Sequence, residues 1–240
     1  MKFLMISSYL PSVLNFRGKL LEAIHAQGLE IHVLAPDLQD YPDELNQLQQ
    51  LGYQVHTVPM QRTGTNPIQD LKALKSIYQL IRQIQPDYVL SYTIKPVIYG
   101  TLAASLAKVP HRFALITGLG YAFQNAESGK RSIFQKMVHG LYAHALKHAH
   151  KVFFQNPDDL KLFQSMQLVS PQKPTVVVNG SGVNVQDFAV LDLPKNEHGQ
   201  AKASFLLIAR LLGDKGVREY AEAARIIKAK HPKVEFHLVG

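Results

Sequence analysis

The sequence predicts an α/β protein with a doubly wound parallel sheet. Short apolar runs that suit buried strands, such as residues 3–6 and 31–35, alternate with longer runs of helical periodicity. Gly28 ends the first predicted helix, and a strand follows almost at once. Residues 204–240 contain an apolar strand, a polar turn, an amphipathic helix and a second strand, which together make a βαβ unit.

The remaining elements follow from the same periodicities. Gln54 opens an alternating strand, Pro67 begins a helix as a first-turn proline, and Asn156 with Pro157 begins another as a capping pair. The predicted order is strand 2–7, loop 8–18, helix to 28, strand 31–35, helix 45–51, strand 54–58, helix 67–84, strand 86–91, helix 97–107, strand 112–117, basic helix 130–151, strand 151–155, helix from 157 and strand 175–178.

Composition limits the functional classes. The formal charge is +8, from 26 Lys and Arg against 18 Asp and Glu, which favours anionic partners. Neither a zinc finger nor an RNP motif nor an arginine-rich arm is present in the sequence, so nucleic acid is not an expected partner. The sequence lacks cysteine, an apolar run that could span a membrane, and a signal peptide at its start. We therefore expect a cytoplasmic protein.

The turn after residue 208 is a candidate diphosphate site. It carries two cations, Arg210 and Lys215, with Gly213 and Gly216 close by. Glycines let backbone N–H groups approach an anion, and the following helix directs its positive end towards it. The plain structural alternative is a strand–turn–helix with solvated charges.

This turn also resembles a known pattern. Ala209-Arg210-Leu211, followed by Lys215-Gly216, is similar to the start of the nucleotide-sugar half of retaining GT-B glycosyltransferases of family four. The resemblance implies that Arg210 and Lys215 hold the donor's diphosphate. It also implies a GT-B fold, in which a Rossmann-like acceptor domain precedes a second Rossmann-like domain.

Four further stretches resemble the branch of this family that builds bacterial surface glycans on a polyprenyl-diphosphate carrier. They begin at Met1, Asn15, Tyr92 and Thr117 and read Met-Lys-Phe-Leu, Asn-Phe-Arg-Gly, Tyr-Thr-Ile-Lys-Pro and Thr-Gly-Leu-Gly-Tyr-Ala-Phe. A fifth, from Gly182 to Phe188, is similar to the crossover between the two domains, with Asn184 where Asp is commoner. The implied domains are 1–188, a linker 189–202 and an incomplete donor domain 203–240.

Several residues are candidates for the cleft, because ligands of doubly wound sheets bind at the carboxyl ends of the strands. Asn15 and Arg17 lie in the first such loop, and Arg17 either contacts an anion or is a solvated cation. Lys95 either binds phosphate or is a solvated loop lysine, which the sequence slightly favours. Thr117 and Gly118 stand where several relatives carry a His, so that histidine's role is not transferred.

The segment 130–151 is basic and free of Asp and Glu. An amphipathic helix of this kind lies either on an anionic membrane surface or on the core with a solvated cationic face. A lipid-linked acceptor favours the membrane, at the inner face of the plasma membrane. His144 and His148 share a helix face, but without a third ligand they do not suggest a metal site. The membrane-surface candidates are Lys130, Arg131, Lys136, Lys147 and Lys151.

The leading hypothesis is a retaining glycosyltransferase that moves a sugar from a nucleotide diphosphate, with UDP expected, to a lipid-diphosphate-linked glycan, without a metal or another cofactor. Because one βαβ unit follows the linker, we expect these 240 residues alone to be a truncated, inactive form. Uncovered sheet edges in that unit predict possible self-association. The alternatives are a nucleotide-sugar epimerase of the same fold and a non-catalytic, membrane-associated binding module.

Overall fold

The computed structural model describes two compact units, Met1–Val183 and Asn184–Gly240. Each unit is considered by itself. The described residues are 1–62, 66–119, 129–192, 195, 199 and 203–240, except for the side chains of 129–134 and 214.

The described part of the first unit forms a seven-stranded parallel sheet with the order β3-β2-β1-β4-β5-β6-β7. The order reverses between β1 and β4, which is the arrangement of a doubly wound sheet and confirms the predicted fold class. The strands are β1 (Lys2–Ile6), β2 (Glu30–Ala35), β3 (Gln54–Thr57), β4 (Tyr88–Tyr92), β5 (His111–Ile116), β6 (Lys151–Phe154) and β7 (Thr175–Val177).

Helices cover both faces of this sheet. The third and sixth begin where their sequences predict, because Asn66 and Asn156 accept backbone N–H groups and a proline follows each. The helices are α1 (Pro11–His25), α2 (Pro42–Gln50), α3 (Pro67–Ile84), α4 (Thr101–Leu106), α5 (Gly129–His148) and α6 (Pro157–Ser165), with a 3-10 turn at Leu38–Asp40 and a π-helical turn at Pro96–Gly100.

The predicted loop 8–18 is wrong from Pro11 onwards. Pro11 occupies the first turn of α1, where its missing N–H costs nothing. Val13, Arg17 and Leu21 follow at intervals of four, and all three side chains are buried on one face. A cation at a position that faces the core concealed this helical periodicity in the sequence.

The core alternates along each strand with the period of two that a pleated sheet imposes. Phe3 and Met5 of β1 pack with α1 and α2, whereas Leu4 and Ile6 pack with α3 and α4. A third cluster places α5 and α6 on β5 and β6. Gly100 makes the tightest of these approaches, since a Cβ there would lie 2.5 Å from Ser91 Oγ and 2.9 Å from Ile6 Cδ1.

Two helices bury only part of their apolar residues. In α3, Ile68 and Leu71 are 69% and 65% exposed, and the buried face passes through Ala73 and Ile77 instead. In α5, Leu146 is buried but Met137 is largely exposed. The helical period was right, and the direction of each face was set by tertiary packing that a single sequence does not contain.

The second unit is a parallel βαβ unit, as predicted. A 3-10 turn at Val185–Asp187 precedes β8 (Ser204–Ile208), and the remaining elements are a 3-10 turn at Gly213–Lys215, α7 (Val217–Lys230) and β9 (Glu235–Val239). The Tyr220 hydroxyl lies 2.9 Å from the carbonyl oxygens of both Phe205 and His237, so one side chain ties the helix to both strands.

A chain of proton-sharing groups lies on β2 and β3. His32 Nδ1 is 3.0 Å from His56 Nε2, and His32 Nε2 is 3.0 Å from Glu30 Oε1. The two rings are nearly coplanar, 11° apart, and their centroids are 5.3 Å apart. The distance between the ring centres is longer than the N···N distance by about two ring radii, so the two nitrogens lie on the line that joins the centres. The rings therefore meet edge to edge, and one N–H points directly at the other nitrogen. Glu30 accepts from His32, which must therefore accept from His56.

Burial lowers the pKa of His32, an effect that the Glu30 carboxylate partly opposes, and burial together with the neighbouring His32 lowers the pKa of His56. His148 and His150 have lowered pKa values by burial and by neighbouring basic groups. Below the unfolded value of about 6.5, the unfolded chain binds more protons than the folded protein. The contribution of these histidines to the free energy of unfolding is complete above that pH, and it is lost as the pH falls towards their lowered pKa values.

We therefore predict that the free energy of unfolding decreases between about pH 7 and pH 5. His56→Gln keeps a donor for His32 Nδ1 and cannot take up a proton, so it should flatten part of that decrease. His25→Gln, at an exposed position, is the matched control. Urea unfolding at several pH values measures both, and an identical pH dependence for His56→Gln and the parent would contradict the assignment.

Candidate functional site

Hydroxyl groups line the carboxyl edge of the first unit's sheet at its reversal point. Ser8, after β1, lies with its Oγ 2.8 Å from Thr93 Oγ1, after β4. Ser12 Oγ lies 2.8 Å from the hydroxyl of Tyr92 and 3.3 Å from Ser7 Oγ. Ligands of doubly wound sheets bind at this position. The cluster offers neutral donors and acceptors, which suits a polyhydroxylated ligand.

Thr93 is backbone-strained at this edge. Its φ is +67°, in the left-handed region that a β-branched residue rarely adopts. The bond to Ser8 and the Val97 N–H, which donates to the Thr93 carbonyl at 3.0 Å, hold it in place. Strain of this kind costs about 1–3 kcal/mol and concentrates at functional sites. No local pattern in the sequence predicts this strain.

Arg17 crosses the same edge from α1. Its side chain is 5% exposed, and its guanidinium carbon lies 5.1 Å from the centre of the Tyr92 ring. Nη1 donates to the Phe16 carbonyl at 3.0 Å and to Ser181 Oγ at 2.7 Å. Burial lowers the pKa of Arg17. The alternative of a solvated cation is therefore wrong.

Lys95 is not a solvated lysine either. Its Nζ lies 2.6 Å from Asp70 Oδ1 on α3, and the two side chains are only 12% and 14% exposed. The Tyr99 hydroxyl donates to the other carboxylate oxygen at 2.9 Å. Burial, and then the carboxylate it bonds, raise the pKa of Tyr99. The three side chains fasten the π-helical turn after β4 to α3.

The remaining cleft candidates are Asn15, Thr117 and Gly118. Asn15 is exposed on α1, and Thr117 and Gly118 follow β5 half-buried. Gly118 has a φ of +135°, a backbone conformation that residues with a side chain rarely adopt, so glycine is favoured there. The stretch 120–123 of the same motif lies outside the described residues.

The turn between β8 and α7 presents the two predicted diphosphate ligands. Arg210 follows β8, and Lys215 ends the 3-10 turn; both side chains are exposed. Gly216 has a φ of +74° and immediately precedes the 14 residues of α7. Two cations therefore lie close in sequence to the amino end of a helix, where N–H groups and the helix dipole favour an anion.

Of the membrane-surface candidates, Lys136 and Lys147 are exposed on α5, whereas Lys151 is half-buried in β6. The side chains of Lys130 and Arg131 lie outside the described residues. No helix within the described ranges is long and apolar enough to cross a membrane. The described residues also contain no cluster of three metal-ligating side chains.

Comparison with known proteins places this geometry in a family. A family model described as "Glycosyl transferase 4-like" matches residues 12–156. The chain is 29% identical over 238 residues to N,N'-diacetylbacillosaminyl-diphospho-undecaprenol alpha-1,3-N-acetylgalactosaminyltransferase of Campylobacter jejuni. It is 30% identical over 191 residues to UDP-Gal:alpha-D-GlcNAc-diphosphoundecaprenol alpha-1,3-galactosyltransferase of Escherichia coli. The matches use 95% and 76% of this chain and 60% and 48% of those relatives.

Solved structures agree on the fold. A glycosyltransferase from Rickettsia africae matches with a TM-score of 0.65 at 15% identity, covering 100% of this chain and 68% of that one. UDP-GlcNAc 2-epimerase from Neisseria meningitidis matches with a TM-score of 0.59 at 14% identity, covering 99% and 65%. The predicted GT-B class is confirmed, and likeness at these identities shows the fold alone.

The ion pair at Lys95 gives a prediction about stability. Asp70→Ala leaves the Lys95 ammonium buried without its counterion, so we expect a loss of about 3 kcal/mol in the free energy of unfolding. The double variant Asp70→Ala/Lys95→Met removes both charges and should recover much of that loss. Glu22→Ala, which removes the exposed partner of Lys19, is the control and should cost less than about 1 kcal/mol. Equal losses for Asp70→Ala and Glu22→Ala would contradict the role of Asp70 as the counterion of a largely buried Lys95.

Proposed function

Since the chain belongs to the glycosyl transferase 4-like family, we propose that it acts in the transfer of a sugar from a nucleotide diphosphate to a polyprenyl-diphosphate-linked glycan. UDP is the proposed nucleotide, and retention of configuration the proposed stereochemistry. We predict that these 240 residues alone do not catalyse sugar transfer. Surface polysaccharide synthesis is the proposed setting.

The names of the two relatives support the substrate classes. Both specify a diphospho-undecaprenol acceptor, and one specifies UDP-Gal as its donor. Both also specify an alpha-1,3 linkage. UDP-hexoses of the D series carry the sugar in α configuration, so an α product is what a retaining reaction yields from such a donor.

The observation that carries the proposal is the turn that ends β8 and begins α7. When the glycosidic bond of the donor breaks, negative charge develops on the leaving diphosphate. Arg210, Lys215 and the amino end of α7 are the groups proposed to neutralise that charge. Exposed cations suit this role, since they can close on a substrate that arrives and leaves.

The first unit's edge suits the acceptor side. Ser8, Ser12 and Thr93 supply neutral hydroxyls for sugar recognition. The residues directly after three strands, Ser7 and Ser8 after β1, Thr93 after β4, and Thr117 and Gly118 after β5, include no Asp or Glu. An epimerase of this fold is expected to carry acid–base carboxylates there, so this composition favours transfer over epimerisation. No protein base is assigned; the donor phosphate itself is the proposed base.

The exposed side of α5 is the proposed membrane contact. Lys136 and Lys147 are eleven positions apart, about three turns, so they share one side of the helix. Met137 is exposed beside them, while Val138 and Tyr142 face the core. A lipid-linked acceptor requires the enzyme to work at a bilayer surface, and a cationic stripe with an apolar side chain suits that surface.

Nucleotide binding tests the donor site. We predict that UDP binds the parent protein and that Arg210→Gln or Lys215→Gln raises its Kd about tenfold or more, because each removes a charge-assisted contact. Lys230→Gln, at the far end of α7, is the matched control and should leave the Kd unchanged. Titration calorimetry measures the four constants. UDP binding that is insensitive to both turn substitutions would refute the site.

Vesicle sedimentation tests the membrane surface. We predict that the protein pellets with vesicles containing phosphatidylglycerol and that Lys136→Gln/Lys147→Gln weakens this binding, by about fivefold per lysine at ~1 kcal/mol each. Lys72→Gln/Lys75→Gln, two exposed lysines of α3, is a charge-matched control. If both pairs lower binding equally, attraction is general, and the α5 assignment fails. Lipid binding without any response to UDP would favour the binding-module alternative.

A further inference from the structure

Arg17 is a buried cation without a described counterion. More than nine-tenths of the surface of Arg17 is inaccessible to solvent, yet none of the described carboxylates forms an ion pair with it. Burial lowers the pKa of its guanidinium, and the neighbouring Tyr92 phenol, whose own pKa is raised by burial, supplies no compensating negative charge at neutral pH. A buried charge that lacks a partner destabilises a fold by several kcal/mol, on the order of a lost buried ion pair.

Two half-buried cations of the unit, Lys95 and Arg112, have protein partners that allow a comparison. Lys95 has Asp70 at 2.6 Å. Arg112 donates through Nε to the His148 carbonyl at 2.8 Å and through Nη1 to the Val109 carbonyl. Arg17 has only the Phe16 carbonyl and one hydroxyl, and its Nε lies buried without a hydrogen-bond partner among the described residues. Its bonding is therefore incomplete in a way that theirs is not.

The hydroxyl beside Arg17 directs its hydrogen outward. Ser181 Oγ accepts from Arg17 Nη1 at 2.7 Å and from Gln155 Nε2 at 3.2 Å. A hydroxyl oxygen has two acceptor positions, so both are used, and the O–H must donate elsewhere. Ser181 is exposed, between Gly180 and Gly182, whose φ values are +71° and +69°. It therefore offers a donor at the surface next to a buried positive charge.

We propose that Arg17 and Ser181 form an anion site that takes the diphosphate group of a substrate. The inference rests on the proposed function, because both proposed substrates carry a diphosphate. A phosphate oxygen is an acceptor only and complements the Ser181 hydrogen and the unused guanidinium N–H groups. Arg binds such groups more specifically than Lys, through its planar set of donors. The guanidinium carbon lies over the Tyr92 ring at 5.1 Å from its centre, within cation–π range.

The binding of inorganic pyrophosphate tests this site. All variants are made in a protein that already carries Arg210→Gln/Lys215→Gln, the background, so that the turn of the second unit does not contribute to binding. In this background we expect Arg17→Met to raise the Kd for pyrophosphate about tenfold or more. Ser181→Ala, an exposed loop substitution, should raise it several-fold. Arg62→Met is the matched control, because Arg62 is exposed and lies over the Tyr9 ring at 4.2 Å; its Kd should be unchanged.

A second readout separates binding from a merely structural role. Without ligand, Arg17→Met removes an uncompensated buried charge, so its Tm should equal or exceed that of the background. Pyrophosphate should raise the Tm of the background and not that of Arg17→Met. A lowered Tm for Arg17→Met together with unchanged pyrophosphate binding by Ser181→Ala would overturn the proposal, and so would equal affinity in all variants.

Competition identifies the source of the diphosphate. Displacement of pyrophosphate by UDP assigns the site to the donor, and displacement by farnesyl diphosphate but not UDP assigns it to the lipid acceptor. If neither displaces it, the site takes an inorganic anion only, and the substrate assignment is wrong. Failure here leaves the UDP titration of the protein with intact Arg210 and Lys215 untouched, so the two proposals fail separately.

Discussion

The parallel direction of every strand in the first unit's sheet is the constraint on which its chemistry depends. Because the strands run the same way, their carboxyl ends meet at one edge, and the order reverses there between β1 and β4. Ser8 and Thr93 come from these two strands and bond across the reversal. Residues 85 positions apart thus become neighbours through topology alone. Arg17 and Gln155 reach the same edge from α1 and from the end of β6.

Burial of cations then separates structural groups from binding groups. Lys95 and Arg112 are half-buried cations with protein partners, so they fasten elements together. Arg17 is more deeply buried, and its Nε has no hydrogen-bond partner among the described residues. Burial of its charge costs free energy, and no anion among the described residues of the protein offsets that cost. Natural proteins tolerate such costs mainly where a ligand later supplies the missing partner.

Local signals in the sequence were sufficient for the fold class and for several boundaries. Asn66-Pro67 and Asn156-Pro157 set helix starts because capping is a contact within one turn. The sequence did not indicate which lysine is paired, since Asp70 and Lys95 are separated by 25 positions and meet only through packing. The strain at Thr93 has no local signal, because the neighbouring strand and turn impose it.

The cations proposed for the two units differ in a way that matters for their roles. Arg210 and Lys215 are exposed, so a diphosphate must displace water from them when it binds. Arg17 is held by Tyr92, Phe16 and Ser181 before any ligand arrives, and its desolvation is already complete. A preorganised donor in a dry environment interacts more strongly with an anion than a solvated one does, because the dielectric screening is smaller. One buried arginine can therefore match several surface charges, provided that its ligand enters beside Ser181.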